Sequence, residues 1–195
     1  MGKLIEVGIG DGFLLHSLKS AKPNVEIYGV DISRRRVIYA HKTLKSYDAY
    51  CVVADAAALP FRDEVFDSLI CSEVLEHIPD NNLALSETYR VLQSANGNIL
   101  ITVPFRQRLS QVMCPYCHKL FTVNGHIHSY DKEKIKQIMH EAGFNVVKIL
   151  GFGSILSFNR FARTLPFGIR NAIDKIAYLL LGTARYYICN ATKKT

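Results

Sequence analysis

Short apolar runs alternate with stretches of helical spacing through the first half of the chain. Five runs have the length and the β-branched character of buried strands, and each ends at glycines, acids or other turn-forming residues. The pattern predicts strands at residues 3–7, 25–30, 50–54, 66–71 and 98–103. Between them, helical spacing predicts helices at residues 13–20, 34–45 and 81–93, the second with Ser33 as its N-cap. Strands and helices that alternate in this way indicate right-handed βαβ crossovers and a parallel sheet.

The second half of the chain has a looser pattern. Residues 105–130 have the composition of a loop and contain cysteines and histidines. A helix is predicted over residues 131–142, where Gly143 ends it, and strands are predicted at 145–150 and 186–192. An insertion rich in Phe, Leu, Ile and Arg occupies residues 151–185. Because no linker or internal repeat is visible, we expect a single domain over residues 1–195.

Composition narrows the class of protein. Of the 195 residues, 49% are apolar and 21% are charged, which is typical of an ordinary globular domain. No apolar run approaches the roughly 18–20 residues that a membrane-spanning helix needs. The five cysteines are an odd number, and the first residues do not have the pattern of a signal peptide. We therefore expect a cytoplasmic protein without a disulfide framework.

The charge is unevenly distributed along the chain. Residues 1–102 carry 10 Lys and Arg against 13 Asp and Glu, whereas residues 103–195 carry 14 against 4. The basic second half favours anionic partners, such as phosphate, nucleic acid or acidic lipid, and the charge alone does not choose among them.

Glycines and acids follow the first three predicted strands. The first strand runs into Glu6-Val-Gly8-Ile-Gly10-Asp-Gly12, the second ends at Asp31 and the third ends just before Asp55. Glycines let the backbone turn tightly against a ligand, and a carboxylate at the end of the second strand can accept both hydroxyls of a ribose. So much negative charge would repel a pyrophosphate. It would suit a cationic ligand that carries adenosine.

These motifs, in this order, resemble the class I S-adenosylmethionine-dependent methyltransferases, in particular the group that includes the ubiquinone and menaquinone C-methyltransferases. The resemblance rests on EVGIGDG at 6–12, YGVDIS at 28–33, ADAAALPFRDEVFDSLICSEVLEHIPD at 54–80 and ETYRVLQSANGNILITVPF at 87–105. It implies an α/β fold: a Rossmann-like, seven-stranded, mostly parallel sheet with an antiparallel last strand and helices on both faces.

The resemblance also implies S-adenosylmethionine as cofactor and assigns residues to it. Asp31 would hold the ribose hydroxyls, with Ile32 against the adenine, while Asp55 and the Ala56 backbone would meet the adenine amino group. Glu6 would orient the glycine loop or reach the cofactor's amino group. The remaining residues would contact the methionine part or line the pocket: Gly8, Gly10, Gly12, Ser72 and Glu73.

The sequence departs from the family pattern in two places. Relatives usually have one or two helices before the first strand, whereas here Met1 lies almost on that strand, so we expect a more open cofactor site. After the fourth strand the chain reads CSEV and not N/D-P-P-Y/F, which argues against methylation of nucleobase or glutamine amino groups.

Histidines supply the candidates for catalysis and for metal binding. His77 follows the fourth strand, and His126 or His128 precedes the predicted helix at 131–142; each could act as a base or contact the substrate. Alternatively, Cys114, Cys117, His126 and His128 have the chemistry of a structural zinc site that would fix the loop.

The acceptor is predicted only by class. We expect a small molecule, or a lipid- or sugar-linked intermediate, that is methylated on oxygen or carbon. Apolar and basic residues alternate through residues 154–181, which is typical of a helix that lies on a membrane surface. That pattern predicts peripheral membrane contact, although the segment could equally cap the domain. RNA methylation and cofactor binding without turnover are the alternatives, and the sequence does not indicate an oligomeric state.

Overall fold

A computed structural model describes residues 2–94, 97–152 and 186–193. Within these ranges the main sheet has seven strands, which are β1 (Lys3–Val7), β2 (Glu26–Asp31), β3 (Ala49–Val53), β4 (Ser68–Ser72), β5 (Asn98–Pro104), β8 (Phe144–Phe152) and β9 (Tyr186–Lys193). Their order across the sheet is β3-β2-β1-β4-β5-β9-β8. Strands β1 to β5 pair in parallel, and β9 lies antiparallel between β5 and β8. The predicted α/β fold, with a mostly parallel seven-stranded sheet and an antiparallel last strand, is confirmed.

Within the described ranges, four α-helices connect the strands. They are α1 (Phe13–Ala21), α2 (Arg34–Thr43), α3 (Asn81–Val91) and α4 (Lys132–Glu141). Ser33 caps α2 by accepting a hydrogen bond from the Arg36 amide, as its position in the sequence predicts. Asp80 and Asp131 cap α3 and α4 in the same way. The predicted elements and the observed ones differ by one or two residues at most ends.

The region after β5 is more ordered than its composition predicts. A short hairpin, β6 (Gln111–Met113) and β7 (Leu120–Thr122), occupies the middle of the predicted loop at 105–130. A strand of three residues is too short to show an alternating pattern, so periodicity does not reveal it. The insertion at 151–185, and with it the predicted membrane-surface helix at 154–181, lies almost entirely outside the described residues.

The core lies on both faces of the central strands. Buried apolar residues of β1, β4 and β5 pack with α3 and α4, and a second cluster packs around Leu15 and Ile27 between the sheet and helices α1 and α2. Phe66 is fully buried and meets Phe61 and Tyr28 edge-on. Among the described helices, none has the length and the apolar character needed to cross a membrane.

The strand order determines where a ligand can bind. The chain moves from β1 to β2 and β3 on one side of the sheet, and then returns to β4 and β5 on the other. Open α/β sheets bind ligands at the carboxyl ends of the strands beside such a reversal. The glycine loop after β1, Asp31 at the end of β2 and Ser72 at the end of β4 therefore meet at this edge.

Candidate active site

The glycine loop after β1 consists of tight turns, and its three glycines meet different surroundings. Gly8, Gly10 and Gly12 have φ of +78°, +54° and +78°, a conformation that favours glycine. A Cβ on Gly8 would lie 2.2 Å from Cγ2 of Val74, and one on Gly12 would lie 3.1 Å from Cα of Ala40. A Cβ on Gly10 would meet no atom within 4 Å. Gly12 is thus required for packing against α2, whereas Gly10 borders open space.

That open space is a cavity of about 730 Å³ at the carboxyl edge of the sheet. Its walls come from the ends of β1, β2, β3 and β4, as the sequence predicts. The residues predicted to bind the cofactor that line it are Gly8, Gly10, Asp31, Ile32, Asp55, Ala56, Ser72 and Glu73. The Ile32 residue is 73% exposed at the cavity, which leaves an apolar surface for a flat ligand to cover.

Asp31 connects the second strand to the glycine loop. One carboxylate oxygen accepts a hydrogen bond from the Gly10 amide at 3.0 Å, and the other accepts one from the Ser33 amide at 2.9 Å. A carboxylate has about four lone-pair positions, so both oxygens keep capacity for hydroxyl donors from the cavity. Asp55 is similarly oriented by the Ala57 amide at 2.9 Å.

Glu6 lies beneath the glycine loop, not in the cavity wall. The residue is 3% exposed, and the backbone amide of Leu15 in the first turn of α1 donates a hydrogen bond to its carboxyl group. Burial raises the pKa of Glu6 to about 8, although the hydrogen bond from Leu15 lowers it. The negative charge of Asp31 adds a smaller increase. The position supports the predicted role in orienting the loop.

A series of hydrogen-bonded side chains supports the cavity wall that follows β4. Ser72 Oγ and Thr102 Oγ1 lie 2.9 Å apart, and the Thr102 hydroxyl donates to Glu73 Oε1 at 2.9 Å. Glu73 has φ of +54°, a costly conformation for a residue with a side chain, and its backbone N–H donates a hydrogen bond to the Thr102 carbonyl oxygen, which holds it there. Burial raises the pKa of Glu73 to about 7. No local pattern in the sequence singles out Thr102, since its role depends on a partner 30 residues away.

The predicted catalytic histidines separate into two groups. His77 lines the cavity, and its ring centroid lies 4.6 Å from that of His126. Burial lowers the pKa of His126, and the positive charge that His77 can carry lowers it further. His128 points elsewhere, with Nε2 2.9 Å from the carbonyl oxygen of Ile78, and does not line the cavity.

The four predicted zinc ligands are not brought together. Cys114 and Cys117 lie in the turn of the β6–β7 hairpin, where the amides of Cys117 and Tyr116 lower the pKa of the Cys114 thiol. His126 and His128 instead meet groups near the cavity. Within the part of the chain that the structure describes, the side chains that converge as ligands are those of Glu76, His77 and His126.

Comparisons with known proteins agree with this geometry. The family described as "Methyltransferase domain" matches residues 5–101, which run from β1 into β5. Over 163 residues the chain is 27% identical to the demethylmenaquinone methyltransferase of Thermotoga maritima, covering 74% of this chain and 70% of that protein. It is 28% identical over 153 residues to the demethylmenaquinone methyltransferase of Staphylococcus haemolyticus, and this match covers 69% of this chain and 64% of that protein. Residues 5–101 of the chain form a methyltransferase domain.

The fold of this methyltransferase agrees with the assignment. A solved S-adenosylmethionine-dependent methyltransferase from Methanosarcina mazei has a TM-score of 0.69 to it, with 16% identity, and the match covers 98% of this chain and 92% of that one. The family implies S-adenosylmethionine as cofactor, and the cavity fits such a ligand. Gly10 leaves backbone open to it, Asp31 offers acceptors for hydroxyls, and Ile32 offers an apolar surface.

Proposed function

We propose that this methyltransferase binds S-adenosylmethionine along the edge formed by β1, β2 and β3, and transfers the methyl group to a small-molecule acceptor beside β4. When bound, S-adenosylmethionine supplies an electrophilic methyl group on a sulfonium. Asp31 would accept hydrogen bonds from the ribose, Ile32 would cover the adenine, and Asp55 with the Ala56 backbone would meet the adenine edge. The observation that carries the proposal is the convergence of Gly10, Asp31 and Glu73 on one cavity.

The acceptor would lie at the end of the cavity formed by Glu73, His77 and Ile78. Displacement at a methyl group needs the acceptor atom in line with the bond that breaks, so the protein contributes mainly by positioning. Glu73 or His77 could also take a proton from a hydroxyl or an activated ring carbon. The relatives named demethylmenaquinone methyltransferases support a hydroxylated aromatic ring as the acceptor class.

Radiolabelled S-adenosylmethionine with an acceptor panel tests this proposal. The panel contains a reduced demethylated naphthoquinone, a catechol, a lipid-linked phenol and a structured RNA. We expect transfer to a hydroxylated ring and none to RNA, and mass spectrometry of the product would distinguish an O-methyl from a C-methyl group. Tight cofactor binding with no transfer to any acceptor would favour a binding protein without turnover. Transfer to RNA alone would contradict the proposal.

Gly10 offers a direct test of the cofactor position. We expect Gly10→Asn to weaken S-adenosylmethionine binding at least tenfold, because the new side chain would project into the open cavity. Asparagine tolerates a left-handed backbone, so the protein should stay folded. Calorimetric titration gives the affinity, and circular dichroism checks the fold. Wild-type affinity in the folded variant would show that the cofactor does not approach Gly10.

One earlier prediction, membrane contact through residues 154–181, concerns a segment outside the described residues. Sedimentation of the full chain with anionic vesicles, compared with neutral ones, would test it.

A further inference from the structure

We propose that Glu76, His77 and His126 form a binding site for a divalent metal ion at the acceptor end of the cavity. One ligand atom from each of these side chains lies within 4.8 Å of the others. Two imidazoles and one carboxylate are a donor set that binds first-row divalent cations and leaves coordination positions open.

Glu76 provides the strongest evidence for a bound cation. The residue is fully buried, and no other described residue donates a hydrogen bond to its carboxylate oxygens, which have only the backbone amide of Glu76 itself nearby. A buried carboxyl group without a partner is costly, and such groups are normally paired or bound to a metal. The side chains grouped with it are the imidazoles of His77 and His126, which can act as metal ligands, and not the cationic side chain of an arginine or a lysine.

Both histidines are oriented as metal ligands usually are. The carbonyl oxygen of Gly125 lies 3.2 Å from Nδ1 of His77, and the amide oxygen of Gln107 meets Nδ1 of His126. Each oxygen can accept only, so each Nδ1 carries a proton, and in the neutral ring each Nε2 keeps a free lone pair. A ring N–H donated to a carbonyl or amide oxygen, with the other nitrogen free, is the usual support of a metal-binding histidine.

The backbone holds the two halves of the site together across 50 residues. Glu76 and His77 lie in a short 3₁₀ turn, Leu75–His77, after β4. The amides of Ile127 and His128 donate to the Glu76 carbonyl at 2.8 and 3.3 Å, which fixes the segment that carries His126 against this turn. The ligands are therefore positioned by the fold before any ion binds.

His77 belongs both to this cluster and to the cavity wall. Three protein ligands leave positions on the ion for water or for an oxygen of the acceptor. A metal-bound hydroxyl loses its proton more readily, which would favour transfer to oxygen. This last step rests on the proposed function, whereas metal binding itself depends only on the cluster.

The test uses Mn²⁺ and the full-length chain after treatment with a chelator. Electron paramagnetic resonance measures free Mn²⁺ during a titration, in a Cys114→Ser/Cys117→Ser background that removes thiol ligands. We expect one ion per chain, at least tenfold weaker binding in Glu76→Gln and His126→Asn, and no change in His140→Asn, which alters an exposed histidine on α4. Because Glu76 is buried, His77→Asn at an exposed position gives a second test that does not depend on the core.

Unchanged Mn²⁺ binding in folded His77→Asn and His126→Asn would overturn the metal site, as would the absence of binding to the parent chain. Titration of the same variants with S-adenosylmethionine separates the two proposals. Loss of Mn²⁺ binding with normal cofactor binding supports the site. Failure of the parent chain to bind S-adenosylmethionine, with Mn²⁺ binding intact, would contradict only the proposed function.

Discussion

Asp31→Asn is expected to weaken S-adenosylmethionine binding about a hundredfold. In the native chain both carboxylate oxygens accept backbone hydrogen bonds, from Gly10 and Ser33. Asparagine can accept only one of these, and its NH₂ group would face an N–H donor. The change removes charged acceptors for the ribose and also releases the glycine loop. Losing one or two hydrogen bonds to a charged group costs about 3 kcal/mol, which corresponds to roughly a hundredfold in affinity.

Asp48→Asn is the matched control for this prediction. Asp48 immediately precedes β3, at the opposite edge of the sheet from the cavity. Calorimetry should give the control wild-type affinity for S-adenosylmethionine and for S-adenosylhomocysteine. If folded Asp31→Asn bound within threefold of the wild type, Asp31 could not be the ribose acceptor, and the cofactor would need another position in the cavity.

The sequence was sufficient for the sheet and for the residues at the ends of β1, β2 and β3 that line the cavity. Apolar runs identified the strands, and the residue that ends β2, Asp31, falls one position beyond its predicted strand. The carboxyl ends of neighbouring parallel strands share one edge, so Gly10, Asp31 and Asp55 could be placed together without coordinates. These features are local in sequence, or follow from topology alone.

The acceptor half could not be derived in the same way, because its contacts are distant in sequence. Thr102 joins Ser72 and Glu73 across about 30 residues, and His126 meets His77 across 49. Spacing along the loop grouped His126 with Cys114 and Cys117, whereas the fold places it against Glu76 and His77. Metal-ligand chemistry was visible in the residue types, but the partners depend on how the 125–128 segment docks on the turn after β4.

Acidic side chains dominate the cavity and its floor. Asp31, Asp55 and Glu73 line it, and Glu6 is buried behind the glycine loop. Burial raises the pKa of Glu6 to about 8 and that of Glu73 to about 7, so without a ligand these two groups hold a proton more readily than exposed carboxyl groups do. A cationic ligand would reverse that preference, which links cofactor binding to proton release.

Glu6→Gln should make this linkage visible in the stability of the protein. Burial raises the pKa of Glu6 from its usual 4.5 to about 8, so the folded state keeps a proton that the unfolded chain has lost. Stability therefore falls as the pH rises through this interval, by up to about 5 kcal/mol above pH 8, and there is no penalty below pH 4.5. Glutamine has the same shape and remains neutral, so the variant should lack this loss.

Urea unfolding of both proteins between pH 5 and pH 9 measures the difference. We expect the free energy of unfolding of Glu6→Gln, minus that of the wild type, to increase by several kcal/mol across this range. The subtraction removes other groups that titrate equally in the two chains. A constant difference would mean that the pKa of Glu6 is the same in the folded and the unfolded protein, which would contradict the effect of burial. An increasing difference would show that the folded protein keeps Glu6 protonated at neutral pH, where the unfolded chain has lost that proton.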